Sequence, residues 1–366
     1  MMILCITIVI LYAIKIFEYS IGWNRIKPLK KNIYKDVSIV IALRNEEKEV
    51  DNLVKSLKNQ TYPVDRIQFI LVNDHSTDST LSLLEEVDLN NLEIVNMPDG
   101  EFGKKSSILR GIQKATGEII LASDADCVFS SNWASTMASY FSDDKVMLVS
   151  GPVAFNKENS VFNNFQALEF TSLIGSGAGA IGINNPIFCN GANMAYRKDV
   201  FLEVNNFEKD SAVSGDDVFL LHSIKKSYDR SIAFAKDKDA IVYTKPVNTI
   251  KEFFNQRKRW TAKSIGYKDW TSIYTSFLVL FVNLIGLFLI GILFFDMSYI
   301  NYVIGYFSTK FLIDLYFLSK VLSFFNRKDL IKWILPFEII YSFYIVLIVF
   351  LSFINTFEWK GRIHKR

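Results

Sequence analysis

The sequence predicts an α/β domain built on a mostly parallel sheet, with apolar helices on both sides of it in the chain. Three observations predict this. β-Rich runs alternate with helical patterns from Val37 to Ala122, as parallel winding requires; polar clusters stand where those runs end; and apolar segments of membrane-spanning length lie before and after. With 366 residues, half of them apolar, the chain can bury one sizeable core and keep apolar sequence for a bilayer.

The elements follow in order. Met1 to Phe17 is almost wholly apolar and is joined by Lys15, Arg25, Lys27, Lys30 and Lys31, so residues 1–22 read as a transmembrane anchor. Basic residues before the run and a small-residue cleavage site after it are both missing, which argues for an anchor that is retained. Residues 36–250 form the α/β domain: strand Val37–Leu43 then helix Glu46–Asn59, strand Ile67–Val72 then helix Asp78–Val87, strand Glu93–Asn96 then helix Ser106–Ala115, then strand Glu118–Ala122. Val161–Ile174 reads as a helix. The following Gly177-Ala178-Gly179-Ala180-Ile181-Gly182 spells G-x-G-x-x-G, but no strand precedes it as a dinucleotide site requires, so it reads as a flexible small-residue loop.

Residues 251–271 read as a juxtamembrane region and 272–358 as C-terminal transmembrane helices, with segments Ser272–Phe295, Tyr302–Phe325 and Trp333–Phe357. The middle segment carries Lys310, Asp314 and Lys320. These must face protein, water or the interface, because a charge at mid-bilayer costs ~2.5–3.5 kcal/mol. Residues 359–366 are a basic tail. The basic run after the anchor, with Arg327, Lys328 and Lys332, places the soluble region on the cytosolic face, as in a bacterial inner-membrane protein. Three full crossings after an inside domain would leave the basic tail outside. The last segment, with Pro336 and Glu338 near its start, is therefore expected to enter and return or to lie in the interface.

Several function classes are excluded. Lysine plus arginine (41) nearly balances aspartate plus glutamate (38), without the concentrated basic excess of a nucleic-acid binder. Cys5, Cys127 and Cys189 are odd in number and far apart, and His75, His222 and His364 lack metal-ligand spacing. Gly103-Lys104-Lys105-Ser106 lacks the leading glycine and the hydroxyl directly after the first lysine that a P-loop needs.

In open α/β sheets, ligands sit outside the carboxyl ends of the strands. Those ends carry Arg44-Asn45-Glu46, Asn73-Asp74 and Asp124-Ala125-Asp126. Asn and Asp also start turns and cap helices, and Asp78 reads equally as a cap. Three acidic or amide clusters on one edge, however, repel unless a cation or ligand answers them. Asp124 and Asp126 suit Mg2+ or Mn2+, since Mg2+ prefers one or two carboxylates with phosphate oxygens and water to a full protein cage. Ser214-Gly215-Asp216-Asp217 opens the helical run Val218 to Lys226. It reads either as a cap with acids at the positive dipole end or as a general base for an attacking hydroxyl. Gln256-Arg257-Lys258-Arg259-Trp260 reads for Arg257 and Lys258 as an interface anchor. Gln256 and Arg259 could hold a diphosphate, and Trp260 a sugar ring.

Taken in order, Ala42-Leu43-Arg44-Asn45-Glu46-Glu47, Val72-Asn73-Asp74-His75-Ser76-Thr77-Asp78, Gly103-Lys104-Lys105, Asp124-Ala125-Asp126, Gly191-Ala192-Asn193-Met194, Gly215-Asp216-Asp217 and Gln256-x-x-Arg259-Trp260 resemble the membrane-bound family 2 glycosyltransferases. That group includes cellulose and hyaluronan synthases and ceramide glucosyltransferases. The resemblance runs from about Val37 to Tyr267 and implies a GT-A, Rossmann-like fold binding a nucleotide-sugar, usually a UDP-sugar. By it Arg44, Glu46 and Asp74 hold base and ribose, Lys104 lies near the donor, and Asp124 and Asp126 serve the diphosphate and the metal. Gln256 and Arg259 serve the donor, Trp260 the acceptor, and Asp217 the proton. Asp216 stands where the family has glutamate, which leaves the choice between the two acids open, and Leu43 departs from the small or proline-like residue of many relatives.

The implied reaction is a single displacement with inversion, onto a membrane lipid or a lipid-linked saccharide. A processive polysaccharide synthase is the alternative; extrusion needs a helical bundle around a pore, and three or four segments are few for one. A non-catalytic scaffold or transporter component has no physical reason to keep carboxylates crowded on one edge.

Overall fold

The computed structural model describes residues 2–29, 34–204, 216–264, 266–353, 356–359 and 362–365. In chain order its elements are helix α1 (Met2–Arg25), strand β1 (Val37–Leu43), α2 (Val50–Lys58), β2 (Ile67–Asn73), α3 (Thr80–Glu85), β3 (Leu92–Asn96), α4 (Lys104–Lys114), β4 (Ile119–Asp124), β5 (Val128–Phe129), α5 (Trp133–Ser139), β6 (Leu148–Ser150), β7 (Val153–Phe155) and α6 (Val161–Gly182). There follow β8 (Asn193–Arg197), α7 (Lys198–Val204), α8 (Asp216–Ser227), β9 (Ile232–Phe234), β10 (Val242–Thr244), α9 (Ile250–Ser264), α10 (Trp270–Ile292), α11 (Ile300–Phe324), α12 (Ile331–Ser352), β11 (Thr356–Trp359) and β12 (Arg362–Lys365). They group into two compact units.

The α/β unit comprises Ile26–Asn156 and Phe188–Lys245. Its seven-stranded sheet has the order β3-β2-β1-β4-β8-β6-β9. Strands β3, β2, β1 and β4 run parallel, β8 is antiparallel to both β4 and β6, and β9 rejoins β6 in parallel. The fold is thus the mostly parallel α/β arrangement the sequence predicts. Val40, Ile70, Val72 and Ile120 are covered by Ile108 and Ile112 of α4, and close approach is required there: a Cβ on Gly111 would lie 2.4 Å from Val40 Cγ1. Because β1 has β2 on one side and β4 on the other, the chain winds away from β1 in both directions, and the crevice opens at its carboxyl end. A smaller sheet, β5-β10-β7, stands next in sequence to Asp126 and carries Thr244.

The helical unit comprises Met1–Arg25, Lys157–Ile187 and Pro246–Arg366. Residues 157–187, which the sequence reading ran on inside the α/β domain, group here instead. The expected loop at Gly177–Gly182 is the last part of the continuous helix α6. The glycines serve close helix packing rather than flexibility: a Cβ on Gly179 would meet Tyr19 O at 2.4 Å, and one on Gly22 would meet Gly179 O at 1.9 Å. Gly175 lies against Val321 and Phe317 of α11.

Three helices, Ile3–Arg25, Trp270–Ile292 and Lys328–Ser352, are long and apolar enough to cross a membrane by length and composition. The charges of α11 do face protein. Lys310 Nζ donates to Asp314 Oδ2 at 2.7 Å and Glu338 Oε2 at 2.5 Å, Tyr12 Oη donates to Asp314 Oδ1 at 2.5 Å, and Lys320 Nζ donates to Ser20 Oγ at 2.8 Å. Of the two placements expected for the last segment, entering and returning is not met, since α12 is one unbroken helix with Pro336 inside its first turns; that it lies in the interface stays an expectation. The chain beyond it, expected as apolar sequence to Phe357 and then a basic tail, pairs β11 antiparallel to β12. Lys360 and Arg366 lie outside the described residues.

Candidate active site

The rim of the α/β unit is built from the turns that follow β1, β2 and β4. After β1, Asn45 adopts a left-handed backbone (φ 53°), and after β2 so does His75 (φ 52°), a conformation uncommon for non-glycine residues and taken here at two adjoining strand ends. The two turns are sewn together. Arg44 Nη1 donates to the carbonyls of Asp74 (2.8 Å) and His75 (3.2 Å), and the Glu46 amide donates to Thr80 Oγ1 at 2.8 Å. The Thr77 amide donates to Asn45 Oδ1 at 2.8 Å, and the Glu47 amide to Asp78 Oδ2 at 3.2 Å. Asp78 is not the cap itself: Ser79 holds the N-cap position of α3 without a side-chain bond, and Asp78, one residue earlier, accepts from the Thr80 amide and hydroxyl. Burial by itself would raise its carboxyl, but the hydrogen bonds from the Thr80 hydroxyl and amide and the Glu47 amide hold it below its ordinary value.

Asp74 is buried, with Oδ2 accepting from the Gly103 amide at 3.0 Å and Oδ1 facing His75 Nδ1 at 3.1 Å. Gly103 has φ 99°, a conformation that suits glycine, and it starts α4, whose first residue is Lys104. Lys104 Nζ in turn donates to Asp124 Oδ1 at the end of β4. Asp126, two residues on, accepts from Thr244 Oγ1 at 3.0 Å.

Asp217 is brought to the same place from far along the chain. Its Oδ2 accepts from the Gly191 amide at 3.1 Å and its Oδ1 from the Val218 amide at 2.9 Å. A Cβ placed on Gly191 would lie 3.5 Å from Asp217 Oδ2 and 3.6 Å from Lys104 Nζ, so this glycine, the base candidate and the lysine border one small space. Asp74, Lys104, Asp124 and Asp217 are thus linked around this space, and Asp126 stands two residues beyond Asp124, held by Thr244. The side chain of Asp216 lies outside the described residues, as do Ser214 and Gly215.

Of the Gly191–Met194 motif, Asn193 has a structural task. Fully buried, it donates from Nδ2 to the carbonyls of Pro152 and Ala240, both at 2.8 Å, and accepts from Trp133 Nε1 at 3.0 Å. Among the described residues no group of three or more His, Cys, Asp or Glu side chains could hold a metal ion. Two carboxylates two residues apart fit a divalent cation that completes its shell with phosphate oxygens.

In the helical unit, Gln256, Arg257, Arg259 and Trp260 lie on α9. Arg257, read from sequence as a membrane-interface anchor, is instead buried against Glu169 of α6, with Nη2 to Oε2 at 2.6 Å, and its guanidinium lies 4.3 Å from the Trp260 ring centre. Physical chemistry explains the difference: a lone glutamate in an apolar helix must find a cation, and Glu169 was the sequence signal for this pair. Trp260, expected to offer a flat face to a sugar, has this cation over its ring and Phe170 at 5.9 Å.

The mostly parallel sheet has the arrangement of the GT-A fold. Residues 38–204 match the family model "Glycosyl transferase family 2". Among curated relatives, the poly-β-1,6-N-acetyl-D-glucosamine synthase of Staphylococcus epidermidis is 26% identical over 257 residues, covering 67% of this chain and 59% of the relative. The glycosyltransferase AglE of Haloferax volcanii is 27% identical over 213 residues, covering 55% and 64% respectively. The chain thus spans less than two thirds of either relative's length. Among solved structures, the mannosyltransferase PcManGT from Pyrobaculum calidifontis, in complex with GDP-Man and Mn2+, aligns with a TM-score of 0.59 at 13% identity, over 96% of this chain and 95% of that one. That likeness is one of fold.

Proposed function

We propose that this chain is an inverting, metal-dependent glycosyltransferase. It transfers a sugar from a nucleotide-sugar, a UDP-sugar in the first instance, to a membrane lipid or lipid-linked saccharide, with residues 36–250 as the catalytic domain on the cytosolic side of a bacterial inner membrane. The observation that carries this is the chain of contacts from Asp74 through Gly103 and Lys104 to Asp124, with Asp217 beside the same lysine.

In this reading Arg44, Glu46 and Asp74 receive the base and ribose. Lys104 Nζ stands ready to exchange Asp124 for phosphate oxygens, which a primary ammonium binds as a point charge. Asp124 and Asp126 would hold Mg2+ or Mn2+, which supplies neutralisation of the diphosphate charge. Asp217, fixed by two amide donors, takes the proton from the acceptor hydroxyl as its oxygen bonds to the anomeric carbon and the carbon–oxygen bond to the diphosphate breaks. One displacement inverts the centre. Gln256 and Arg259 are assigned to the leaving diphosphate and Trp260 to the acceptor, on the resemblance of their motif.

Release of nucleoside diphosphate by the purified full chain, with a panel of UDP-sugars and GDP-mannose and a membrane-lipid extract, tests this. EDTA should abolish release and added Mn2+ or Mg2+ restore it; absence of metal-dependent release with every donor would defeat the proposal. The Staphylococcus relative's name favours a second reading, processive synthesis, and product length decides between them: one sugar per acceptor supports the first, a ladder of products the second.

A further inference from the structure

Arg257 is only 1% exposed, yet it lies on the helix that carries Gln256, Arg259 and Trp260. Its guanidinium uses each of its parts. Nη2 donates to Glu169 Oε2 at 2.6 Å, and Nε reaches Glu169 Oε2 at 3.2 Å and Oε1 at 3.3 Å. Nη1 donates to Gln256 Oε1, and the cation lies 4.3 Å from the centre of the Trp260 ring and 4.6 Å from that of Phe253. Glu169, on α6, also accepts from Tyr344 Oη of α12 at 3.1 Å.

As a fastener between helices this arrangement is inefficient, because a buried ion pair is often matched or bettered by apolar side chains of similar volume. What apolar residues could not do is orient a neighbouring amide and an indole at once. With Oε1 held by Arg257, the amide of Gln256 is set with its NH2, a double donor suited to phosphate oxygens, turned away from the guanidinium. A lysine in place of Arg257 would keep the charge but lose the fork and the flat face.

We propose that Arg257 is a positioning residue for the transfer reaction. Anchored by Glu169 and Tyr344, it sets the side chains of Gln256 and Trp260, so that two apolar helices, α6 and α12, determine the geometry of the substrate-binding motif on α9. This rests on the glycosyltransferase reading above.

Two variants of the full chain test it in detergent: Arg257→Lys, and the apolar replacement Glu169→Met/Arg257→Met/Tyr344→Phe. Both are followed by thermal unfolding, by kcat and donor KM, and by the Trp260 emission taken as the difference between each protein and its Trp260→Phe counterpart. Expected are unfolding of the apolar variant near the wild-type temperature and a kcat lower by about 100-fold, as an ångström-scale misplacement produces. Donor KM should rise by less than kcat falls, because base and ribose are assigned to the α/β unit while only the diphosphate is assigned to Gln256, and the Trp260 difference spectrum should shift in both variants. If the apolar variant fails to fold, Arg257→Lys is decisive. An unchanged kcat and an unchanged Trp260 difference spectrum in a folded variant overturn the proposal. A wild type inactive with every donor overturns the glycosyltransferase reading instead, and the difference spectrum then decides on Arg257 alone.

Discussion

Asp217→Asn is the sharpest perturbation of the proposed chemistry, and the structure sets its size. Both carboxylate oxygens accept amide protons, Oδ2 from Gly191 at 3.1 Å and Oδ1 from Val218 at 2.9 Å. Asparagine has one acceptor oxygen, so either orientation points its NH2 at a backbone N–H, and one of the two hydrogen bonds is lost. Leaving a part-buried donor unpaired costs about 1–3 kcal/mol and loosens the turn that carries Gly191. The chemical loss is separate: removing a general base costs about 10²–10⁴-fold in rate. Nucleoside diphosphate release at saturating donor should therefore fall by at least 10²-fold, on the order of 3 kcal/mol in the barrier, with the fold retained. Asp216→Asn, whose helix-opening position leaves the Gly191 contact in place, should keep most of the rate. If Asp217→Asn keeps more than about a tenth of the wild-type kcat while Asp216→Asn does not, the proton goes to Asp216 and the assignment is wrong.

Three further outcomes follow from the geometry. Gly179→Val puts a branched side chain where the first added carbon already lies 2.4 Å from Tyr19 O, a backbone atom that cannot swing aside; thermal unfolding should show a loss at or above the usual overpacking range of about 1–3 kcal/mol, while Gly291→Ala, with open space, should be near neutral. Lys310→Met strips the cation from Asp314 and Glu338 and should destabilise the helical unit by about 3–5 kcal/mol, whereas replacing all three by apolar residues should recover most of that; a triple variant no more stable than the single one would contradict the reasoning. Asp78 has a folded pKa below its ordinary value, so the stability it contributes is complete above about pH 4 and is lost as the pH falls through the lower folded value; Asp78→Asn should flatten the acid limb of the stability curve and leave the neutral region's slope unchanged.

Much of the α/β unit was legible because its signals are local. Val37–Leu43, Ile67–Val72 and Glu118–Ala122 are β-rich runs bounded by turn residues, and they appear as β1, β2 and β4 to within two residues. Arg44, Asp74, Asp124 and Asp126 could be placed on one edge from that order alone, since in a parallel sheet every strand end of one sense points the same way. Asp217 was harder, because its approach to Lys104 passes through Gly191 on a different segment. Gly177–Gly182 was misread because small residues mark loops and tight helix contacts alike, and periodicity cannot tell them apart. Arg257 was misread because a basic residue beside tryptophan looks the same whether it meets lipid headgroups or a buried glutamate.

By itself the sequence determined the winding of the sheet, the edge on which its carboxylates gather, and the apolar lengths on either side, all of which follow from residue-by-residue preference and chain order. The tertiary structure alone decided the distant partners: Glu169 for Arg257, Glu338 for Lys310, Tyr19 for Gly179. A buried charge or a bare glycine states only that a complement must exist, and here the complement comes from residues tens to more than a hundred positions away that folding brings within a few ångströms.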